Sequence, residues 1–504
     1  MIQAADYIRV LPEIVLTLFG VAVMMAEAAL PPRASRKPLG WLAFIGTLAA
    51  LAATVYQARH PGTAFFDMVR VDSFSIFFHF LIAFIAALVV LASFEYLDAQ
   101  HIRGGEYYGL ILFGAVGMVL MSSAVELVLI FIALEISSIS TYVLAGFRRR
   151  APASIESSVK YFLLGSFATA FFLYGVALMF GATGTTRIYM IADAIQSGQH
   201  STLLFTAVAL MFVGIGFKVA AAPFHVWTPD VYEGAPAPIV GLMSTAPKAA
   251  AFAVLLRIFF AAATPGWFWP VWISAALSMT LGNISALVQD NVKRLLAYSS
   301  IAHAGYLLVA FAAARDIGIS AAMFYTAAYA FMNVGAFAVV SHFASAGERY
   351  VNLEDYAGLG RRSPVLAATL TVFLLSLIGI PITGGFFAKF YVFSAALKAN
   401  LIWLTLIGFV NSAIGAYYYL RIMVVMYMRE ARRPVPVTPI PLGLGLALAL
   451  SIVATLYLGI LPNGVLRYAQ QSAQGLLPQQ LAPTASSPAP VPARAAKFQP
   501  PHTP

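Results

Sequence analysis

Long apolar segments constrain this chain more than any other feature of its sequence. An α-helix needs about 20 predominantly apolar residues to cross the hydrocarbon core of a bilayer. Fourteen segments fit this description, at residues 8–30, 39–57, 73–92, 106–122, 124–147, 157–181, 202–222, 236–262, 267–288, 295–314, 318–345, 364–396, 402–428 and 437–460. Lipid offers the backbone no hydrogen-bonding partner, so each segment is predicted to be a helix. The sequence therefore predicts an all-α polytopic membrane protein with about 14 transmembrane helices.

Composition agrees with this class and excludes most soluble alternatives. Hydrophobic residues make up 61% of the 504 residues and charged residues only 10%, whereas about 25% of the residues of a soluble domain are charged. The formal net charge is +10, but the basic residues stand in short loops between the apolar segments. No basic patch alternates with aromatic residues. The lipid bilayer is the expected partner, and nucleic acid is not.

The chain lacks the residues that commonly hold redox cofactors. It contains no cysteine, so disulfides, all-thiolate zinc sites and cysteine-ligated iron–sulfur clusters are excluded. We find no Gly-rich phosphate loop and no dinucleotide-binding fingerprint after a predicted strand. We therefore expect no cofactor in this chain, and we expect any redox chemistry to take place on partner subunits.

The basic residues predict the orientation in the membrane. Loops on one side carry fifteen lysines and arginines, and loops on the other side carry seven when the distant tail is ignored. The richer side is predicted to be cytoplasmic, which places both termini on the periplasmic side of an even-numbered bundle. The first apolar segment opens with Asp6, Arg9 and Glu13 and lacks a short apolar core with a cleavage site. We therefore expect no removable signal peptide.

Two of the predicted helices contain interruptions. The seventh carries Gly214-Ile215-Gly216 and then Pro223, and the twelfth carries Gly379-Ile380-Pro381 and then Gly384-Gly385. The two glycine-containing strings lie about 165 residues apart. Five helices separate the interruptions, an odd number that would invert one half relative to the other. Paired interruptions in corresponding halves point to the ion path of a transporter, although glycine and proline are also common in ordinary membrane helices.

Four ionisable residues lie deep inside apolar segments: Glu135, Lys218, Lys248 and Lys389. Together they oppose insertion by roughly 10–14 kcal/mol, at about 2.5–3.5 kcal/mol each. Such residues indicate an ion or proton path, because a lysine in apolar surroundings exchanges its proton readily as a carboxylate approaches or withdraws. We predict an ion pair between Glu135 and Lys218 that gates protons toward Lys248 and then Lys389. The alternative is that these charges pair off and hold the helices together.

Three further groups of polar residues have their own interpretations. His303, in the tenth segment, is either a proton relay, because histidine titrates near neutral pH, or a packing residue. Arg257 and Arg421 lie nearer helix ends, where we expect them to reach the membrane interface. Lys293 and Arg294 are interpreted as topology signals at the start of a helix.

Four strings carry a resemblance to a known family. They are PFHVWTPDVYEGAPAP at 223–238, STAPKAAAF at 244–252, QDNVKRLLAYSSIAHAGY at 289–306 and GIPITGGFFAKFYVF at 379–393. Together they resemble the antiporter-like membrane subunits of complex I, a family shared with multisubunit sodium/proton antiporters. The resemblance covers roughly residues 100–430. Within the family, PDVYEGAP and the lysine at position 389 are most similar to the subunit N branch, and no long lateral helix follows the fourteenth segment.

The resemblance implies a fold and a role for each deep charge. It implies two inverted five-helix repeats, with helices seven and twelve broken. It maps the family's fifth-helix glutamate onto Glu135, its seventh-helix lysine onto Lys218, its central lysine onto Lys248 and its exit lysine onto Lys389. His303 falls in a motif where the family often has histidine, which favours the relay interpretation.

The implied division of the chain has five parts. They are three N-terminal helices (1–105), a first repeat (106–262), a second repeat (263–430), a last helix (431–468) and a disordered Pro/Ala/Gln-rich tail (469–504).

The resemblance further implies a proton-translocating subunit of NADH:quinone oxidoreductase in a bacterial inner membrane. FMN, iron–sulfur clusters and quinone are then expected on partner subunits, and sister antiporter-like subunits are among the expected neighbours. The main alternative is a subunit of a multisubunit Na⁺/H⁺ antiporter, which would share the same lysines and helix breaks. A structural subunit that no longer pumps, and a subunit of a ferredoxin-dependent relative, are further alternatives.

Overall fold

The computed structural model describes residues 3–31, 34–102, 104–196, 202–261, 266–313, 316–344, 346–431 and 438–476. The first half of the chain forms helices α1 (Ala4–Ile8), α2 (Leu11–Ala29), α3 (Lys37–Gln57), α4 (Ser73–Ala99), α5 (Glu106–Ser123), α6 (Leu127–Ala145), α7 (Pro152–Thr183), α8 (Ile188–Gln196), α9 (Thr202–Val219), α10 (Trp227–Gly234), α11 (Ala237–Met243) and α12 (Ala246–Leu256). A short antiparallel hairpin, β1 (Gly62–Ala64) and β2 (Val69–Val71), connects α3 to α4.

The second half of the chain is also helical. It forms α13 (Phe268–Leu287), α14 (Val292–Ala313), α15 (Asp316–Ala344), α16 (Leu359–Arg362), α17 (Pro364–Ile378), α18 (Gly384–Lys398), α19 (Ile402–Met428), α20 (Leu442–Ile460) and α21 (Asn463–Leu476). One turn of π-helix, Arg257–Ala261, continues α12. Short 3₁₀ turns at Ala346–Glu348 and Leu353–Tyr356 follow α15.

The predicted membrane class is confirmed, and the crossings can be matched to the apolar segments. Thirteen helical stretches in the described residues are long and apolar enough to span a membrane, one of them being α11, α12 and the start of the π turn taken together. The remaining segment, predicted at 364–396, is divided between α17 and α18. The structure thus accounts for all fourteen predicted segments.

The centre of the bundle is distinguished by burial. The stretch Ala237–Phe259 is wholly buried, and α14 and α15 are almost wholly buried, whereas α7, α19 and α2 bury less than half of their residues. The outer helices expose large apolar side chains such as Phe167 and Trp403. Contiguous apolar exposure on this scale suits contact with lipid rather than water. Polar groups on the central helices are therefore enclosed by protein on every side.

The chain is interrupted near both predicted breaks. Helix α9 ends at Val219, and Ala220 adopts a left-handed conformation with φ 59°. Helix α17 ends at Ile378, and the following Gly379 has a φ of 93°, which glycine adopts without strain. At the start of α18, a Cβ on Gly385 would lie 1.8 Å from the carbonyl oxygen of Ser376. Only glycine allows the two half-helices to approach so closely.

A third interruption was not predicted. The eighth apolar segment, expected at 236–262 as one helix, is divided between α11 and α12 at Ser244 and Thr245. Pro247 follows, and proline has no N–H to donate to the preceding turn. Its effect on the helix was missed because the string around it is strongly apolar and reads as continuous. Lys248 consequently lies in the first turn of α12.

The predicted disordered tail begins too early. We predicted disorder from Ala469, but α21 continues to Leu476 and packs against α4 and α15. Ala469, Ala473 and Leu476 are buried on one face of this amphipathic helix, which explains its order. Tyr468 donates a hydrogen bond to the backbone oxygen of Ser73 at 3.1 Å. Residues 477–504 lie outside the described residues.

Glu348 forms a buried polar hub at the predicted cytoplasmic ends of the helices. One carboxylate oxygen accepts hydrogen bonds from the Tyr96 hydroxyl at 2.7 Å and the Ala237 amide at 2.8 Å. The other accepts from Arg148 at 2.9 Å and from Lys293 at 2.7 Å. The hub therefore joins α4, the α6–α7 loop, α11 and α14. Lys293, interpreted from the sequence as a topology signal, is wholly buried and helps to hold the bundle together.

A second hub lies at the opposite ends of the helices. Arg257 is wholly buried and donates to both carboxylate oxygens of Asp72, at 2.9 and 3.2 Å, and to the backbone oxygen of Ser122 at 2.9 Å. Burial opposes ionisation of Asp72, but the Arg257 guanidinium lowers the pKa of that carboxyl below its ordinary value. The expectation that Arg257 reaches the interface is wrong, because its side chain is wholly buried and is held inside the protein by Asp72 and the Ser122 backbone oxygen. Arg421 instead donates to the backbone oxygens of Leu287 and Gln289.

Replacing Glu348 by Gln is expected to destabilise the protein by about 3–5 kcal/mol, because it leaves Lys293 buried without its counter-charge. The measurement is the free energy of unfolding in a denaturing-detergent titration. The control Glu354→Gln removes an ion pair with Arg429 in which both side chains are 52% exposed, and should cost about 0–1 kcal/mol.

The effect should depend on pH with a defined sign. Burial raises the pKa of Glu348, but Lys293 and Arg148 outweigh it and lower that pKa below its ordinary value. The carboxylate therefore contributes its full stabilisation above the unfolded-state pKa of about 4.3. That contribution is lost as the pH falls through the lower folded-state pKa. Equal losses from both substitutions at neutral pH would contradict a stabilising hub.

Candidate functional site

The predicted site residues lie inside the bundle rather than against lipid. Lys218, Lys248, Lys389 and His303 are 4%, 2%, 9% and 2% exposed. Glu135 is half-buried on α6. Lysine side chains with so little exposed surface need hydrogen-bonding partners from neighbouring parts of the protein.

The group around Lys218 differs from the predicted ion pair. Lys218, in the last turn of α9, donates to the hydroxyl of Ser138 at 2.9 Å. Glu135 stands one turn before Ser138 on α6 and lies within electrostatic range of Lys218. The two residues form no ion pair of 4.0 Å or less among the described contacts, and one Glu135 oxygen has no hydrogen-bond partner there. The hydroxyl of Ser138 takes the position that we assigned to the carboxylate.

The break after α9 is what holds Lys218 at this depth. Trp227 donates from its indole nitrogen to the backbone oxygen of Phe217 at 3.1 Å, and it stacks on the ring of Tyr161 with 4.5 Å between centroids. The Phe217 oxygen also accepts from the Ala220 amide at 3.0 Å, so the indole gives this carbonyl at the helix end a second donor. The C-terminal end of a helix also favours a nearby positive charge, so this interruption suits a lysine.

Lys248 donates to two oxygen atoms of one residue on α14, Ser300. Its ammonium nitrogen lies 2.6 Å from the Ser300 hydroxyl and 3.0 Å from the Ser300 backbone oxygen. The Tyr329 hydroxyl, on α15, donates to the same Ser300 hydroxyl oxygen at 2.8 Å. Lys248 makes no ion pair with any described carboxylate. A small cluster of hydroxyls therefore surrounds the central lysine.

His303 lies between Lys248 and Lys389. We call these lysines, Lys218, His303 and their buried hydroxyl partners the polar row. Its Nδ1 lies 2.7 Å from the Tyr325 hydroxyl and its Nε2 lies 3.3 Å from the Tyr419 hydroxyl. In a neutral imidazole one nitrogen donates and the other accepts, so the ring can receive a proton on one side and release one on the other. His303 lies within electrostatic range of both Lys248 and Lys389. Its ring also packs against Tyr329, with 5.0 Å between the centroids.

Lys389 lies against the break between α17 and α18. Its ammonium nitrogen donates to the backbone oxygen of Ile378 at 2.8 Å and to the Ser412 hydroxyl at 2.9 Å. It also lies 5.0 Å from the centre of the Tyr306 ring, on the ring's electron-rich face. The carbonyl of Ile378 is free because α17 stops there. The interruption itself supplies a ligand for the lysine.

The structure brings part of the predicted row together. Hydrogen bonds connect Lys248, Ser300 and Tyr329, and a second set connects Tyr325, His303, Tyr419 and Ser299. A third set connects Tyr418, Asn283 and Tyr306, beside Lys389. These sets meet through ring contacts between Tyr329 and His303 and between Tyr418 and Tyr419. No hydrogen bond among the described residues connects the Lys218 group to the Lys248 group.

Sequence reasoning missed the neutral members of this row. The most informative are Ser138, Ser300, Tyr329 and Tyr419, each buried. A signal was present on α15, where Tyr325, Tyr329 and Asn333 recur every four residues within an apolar segment. That spacing places them on one face of a helix. We considered only charged residues and histidine, and so overlooked the stripe.

Comparisons with known proteins agree with this architecture. The family model described as "NADH:quinone oxidoreductase/Mrp antiporter, TM" matches residues 124–415. A protein from Koribacter versatilis named NADH-quinone oxidoreductase subunit N 2 is 69% identical over 484 residues, covering 94% of this chain and 98% of that protein.

Solved structures give the same result. A chain of respiratory complex I from Thermus thermophilus with bound aureothin is 37% identical, with a TM-score of 0.78 over 90% of this chain and 98% of that one. A chain of the Mrp complex from a Dietzia species has a TM-score of 0.81 over 94% of this chain and 98% of that one, at 20% identity. The second resemblance concerns the fold alone.

Replacing Ser138 by Ala should bring Lys218 and Glu135 into direct contact. The substitution removes a hydrogen bond to a charged group, worth about 1.5–3 kcal/mol, and the unpaired Glu135 oxygen is the acceptor one turn away. The measurement is infrared spectroscopy of the carboxyl bands, assigned with Glu135→Gln, and the Glu135 band is expected to shift. Ser140→Ala is the control, because Ser140 donates within α6 to the backbone oxygen of Ile136. Identical spectra for the two serine variants would show that Glu135 does not respond to Lys218.

Proposed function

We propose that this chain, which belongs to the NADH:quinone oxidoreductase/Mrp antiporter family of membrane subunits, translocates protons as the subunit N of an NADH:quinone oxidoreductase. The match of 69% identity over nearly the whole length of a protein with that name supports this assignment. The solved complex I chain, at 37% identity, supports it from the structural side. The family and the all-helical polytopic membrane fold predicted from the sequence are confirmed.

One observation carries the proposed activity. Three lysines, Lys218, Lys248 and Lys389, are buried in the bundle, and their partners are hydroxyl and carbonyl groups rather than carboxylates. A lysine locked in an ion pair exchanges its proton at high cost, whereas one held by neutral groups can lose it and keep its hydrogen bonds. If the charges were only holding helices together, each would be expected to have a counter-charge.

The proposed mechanism begins when Lys218 changes its hydrogen-bonding partner. Movement of Lys218 from the Ser138 hydroxyl to the Glu135 carboxylate changes the charge that the rest of the row experiences. Lys248 then exchanges its proton through the Ser300 and Tyr329 hydroxyls toward His303, and the Tyr325 and Tyr419 hydroxyls carry it toward Lys389. Where the row is joined only by ring contacts, water or side-chain rotation completes the transfer.

The proposed function also implies particular partner subunits and a particular orientation in the membrane. The electron transfer that drives these protonation changes takes place on partner subunits, which hold FMN, iron–sulfur clusters and quinone, so this chain has no redox centre. The chain lies in a bacterial inner membrane beside sister antiporter-like subunits, with both termini on the periplasmic side. Residues 106–262 and 263–430 form two inverted five-helix repeats, between 1–105 and 431–468. Sites at the interruptions of both repeats are the arrangement found in many ion transporters.

A second candidate function is a subunit of a multisubunit Na⁺/H⁺ antiporter. The observation in its favour is the similarity of the fold to the Mrp complex chain, at a TM-score of 0.81. The test is proton movement in vesicles energised either with NADH or with a sodium gradient. Response to sodium alone favours the antiporter, and response to NADH alone favours the oxidoreductase subunit.

Lys248→Ala is expected to abolish NADH-driven proton pumping while the complex remains assembled, because the central member of the row is removed. The matched control is Lys398→Ala, which removes an exposed lysine at the end of α18. The measurement is the ratio of protons moved to NADH oxidised in membrane vesicles. We expect Lys218→Met to give the same loss. Normal ratios in both row variants would contradict the proposed pathway.

Tyr419→Phe is expected to slow pumping about fivefold, the equivalent of one lost hydrogen bond of about 1 kcal/mol. The substitution removes the hydroxyl that contacts both His303 and Ser299 and leaves the ring in place. Tyr417→Phe is the control, because Tyr417 is 60% exposed on the outer face of the same helix. Equal rates for the two variants would exclude Tyr419 from the transfer route.

A further inference from the structure

A basic cavity at the predicted cytoplasmic ends of the helices is separate from the proton row. It has a volume of about 900 Å³ and lies where α4 and α6 end and α5 and α7 begin. Its wall includes Arg148, Arg149, Arg150 and Arg349, and the one acidic residue in its lining is Glu106. The four guanidinium groups face Glu106 in the wall and Glu348, which pairs with Arg148 from outside the lining, so positive charge is in excess and attracts an anion.

The charges in this cavity are not all neutralised within the protein. Arg149 contacts Glu106 at 3.3 Å, but its side chain is 76% exposed, so the pair is weak. Arg150 and Arg349 are exposed and form no ion pair with any carboxylate in the described part of the chain. Arg148 shares Glu348 with Lys293, so that carboxylate neutralises only one of two cations. An excess of positive charge therefore faces the cavity.

The cavity wall is built by contacts between distant segments. Arg148 donates to the backbone oxygen of Gly347 at 2.8 Å, and the Gly347 amide donates to the Gln100 side chain at 2.9 Å. These bonds bring the α6–α7 loop and the turn after α15 together, although about 200 residues separate them. Topology alone requires only that arginines lie on the correct side of the membrane. It does not require that two loops place them around one cavity.

We propose that this cavity binds the phosphate head group of an anionic phospholipid from the cytoplasmic leaflet. Its position at the ends of membrane-spanning helices places it at the depth of lipid head groups. Arginine forks match phosphate oxygens in pairs of hydrogen bonds, and basic pockets between helices on the cytoplasmic side suit anionic lipids. Ile102 and Phe147 add apolar contacts in the lining, where the glycerol and the start of an acyl chain would lie.

The test compares Arg150→Gln/Arg349→Gln with the parent in the intact, purified complex. The control is Arg361→Gln/Arg429→Gln, which removes two exposed arginines on the same predicted face outside the cavity. The probe is short-chain phosphatidylglycerol, and its affinity is measured in phosphatidylcholine nanodiscs. The cavity variant should bind it about tenfold more weakly or worse, because charge-assisted hydrogen bonds are lost. The control should bind like the parent.

Further readouts distinguish a lipid head group from free phosphate and from an acidic protein partner. Inorganic phosphate should compete only at concentrations far above those of the lipid, and equal competition would mean a site for free phosphate and would overturn the proposal. An unchanged affinity in the cavity variant would overturn it as well. Unchanged NADH-driven pumping and an unchanged thermal unfolding midpoint in phosphatidylcholine alone are expected, because neither arginine belongs to the proton row. Retention in the parent of an acidic peptide instead of lipid would overturn the proposal and assign the cavity to a protein partner.

Discussion

The hydrocarbon core of a bilayer cannot form hydrogen bonds, and the arrangement of this chain follows from that single constraint. Every polar group carried into the bundle must find its partner there. At the two ends of the bundle the chain meets this demand with charged hubs, Glu348 with Lys293 and Arg148 on one side and Arg257 with Asp72 on the other. Each hub pairs opposite charges, and every carboxylate oxygen in it accepts at least one hydrogen bond. Such groups are rigid and suited to holding helix ends in place.

The middle of the bundle meets the same demand differently. Lys218, Lys248 and Lys389 rest on hydroxyls and on backbone oxygens. Neutral partners satisfy the hydrogen-bonding demand and leave the charge itself uncompensated, so the protonation state of each lysine stays sensitive to charges nearby. The helix ends thus carry paired charges, whereas the lysines in the middle of the bundle form no ion pair among the described residues. This contrast is what one expects if rigid helix ends surround residues that exchange protons. It also explains why one extra negative charge at Glu135 would change the protonation equilibria of the lysines in the row.

The sequence predicted the membrane class, the crossings and the burial of the deep lysines, because hydropathy and charge are properties of single residues and short segments. It did not predict partners that depend on which helices face each other. Ser138 in place of Glu135 beside Lys218, the Asp72 partner of Arg257 and the Glu348 hub all join residues far apart in the chain. The order of α21 was missed for a related reason, since its amphipathic face is stabilised by contacts with α4, α15 and the π turn, which are distant in the sequence.

The carbonyl of Ile378 that holds Lys389 belongs to the main chain, and so does one of the two Ser300 oxygens that hold Lys248. Side-chain substitution cannot delete a main-chain oxygen. Mutational drift at the surrounding positions can therefore remove Ser412 and still leave Lys389 an acceptor. The acceptor at this position therefore depends on where α17 ends and not on a particular side chain. In divergent relatives, the location of that stop should be a better guide to a buried lysine held in this way than the identity of the side chains around it.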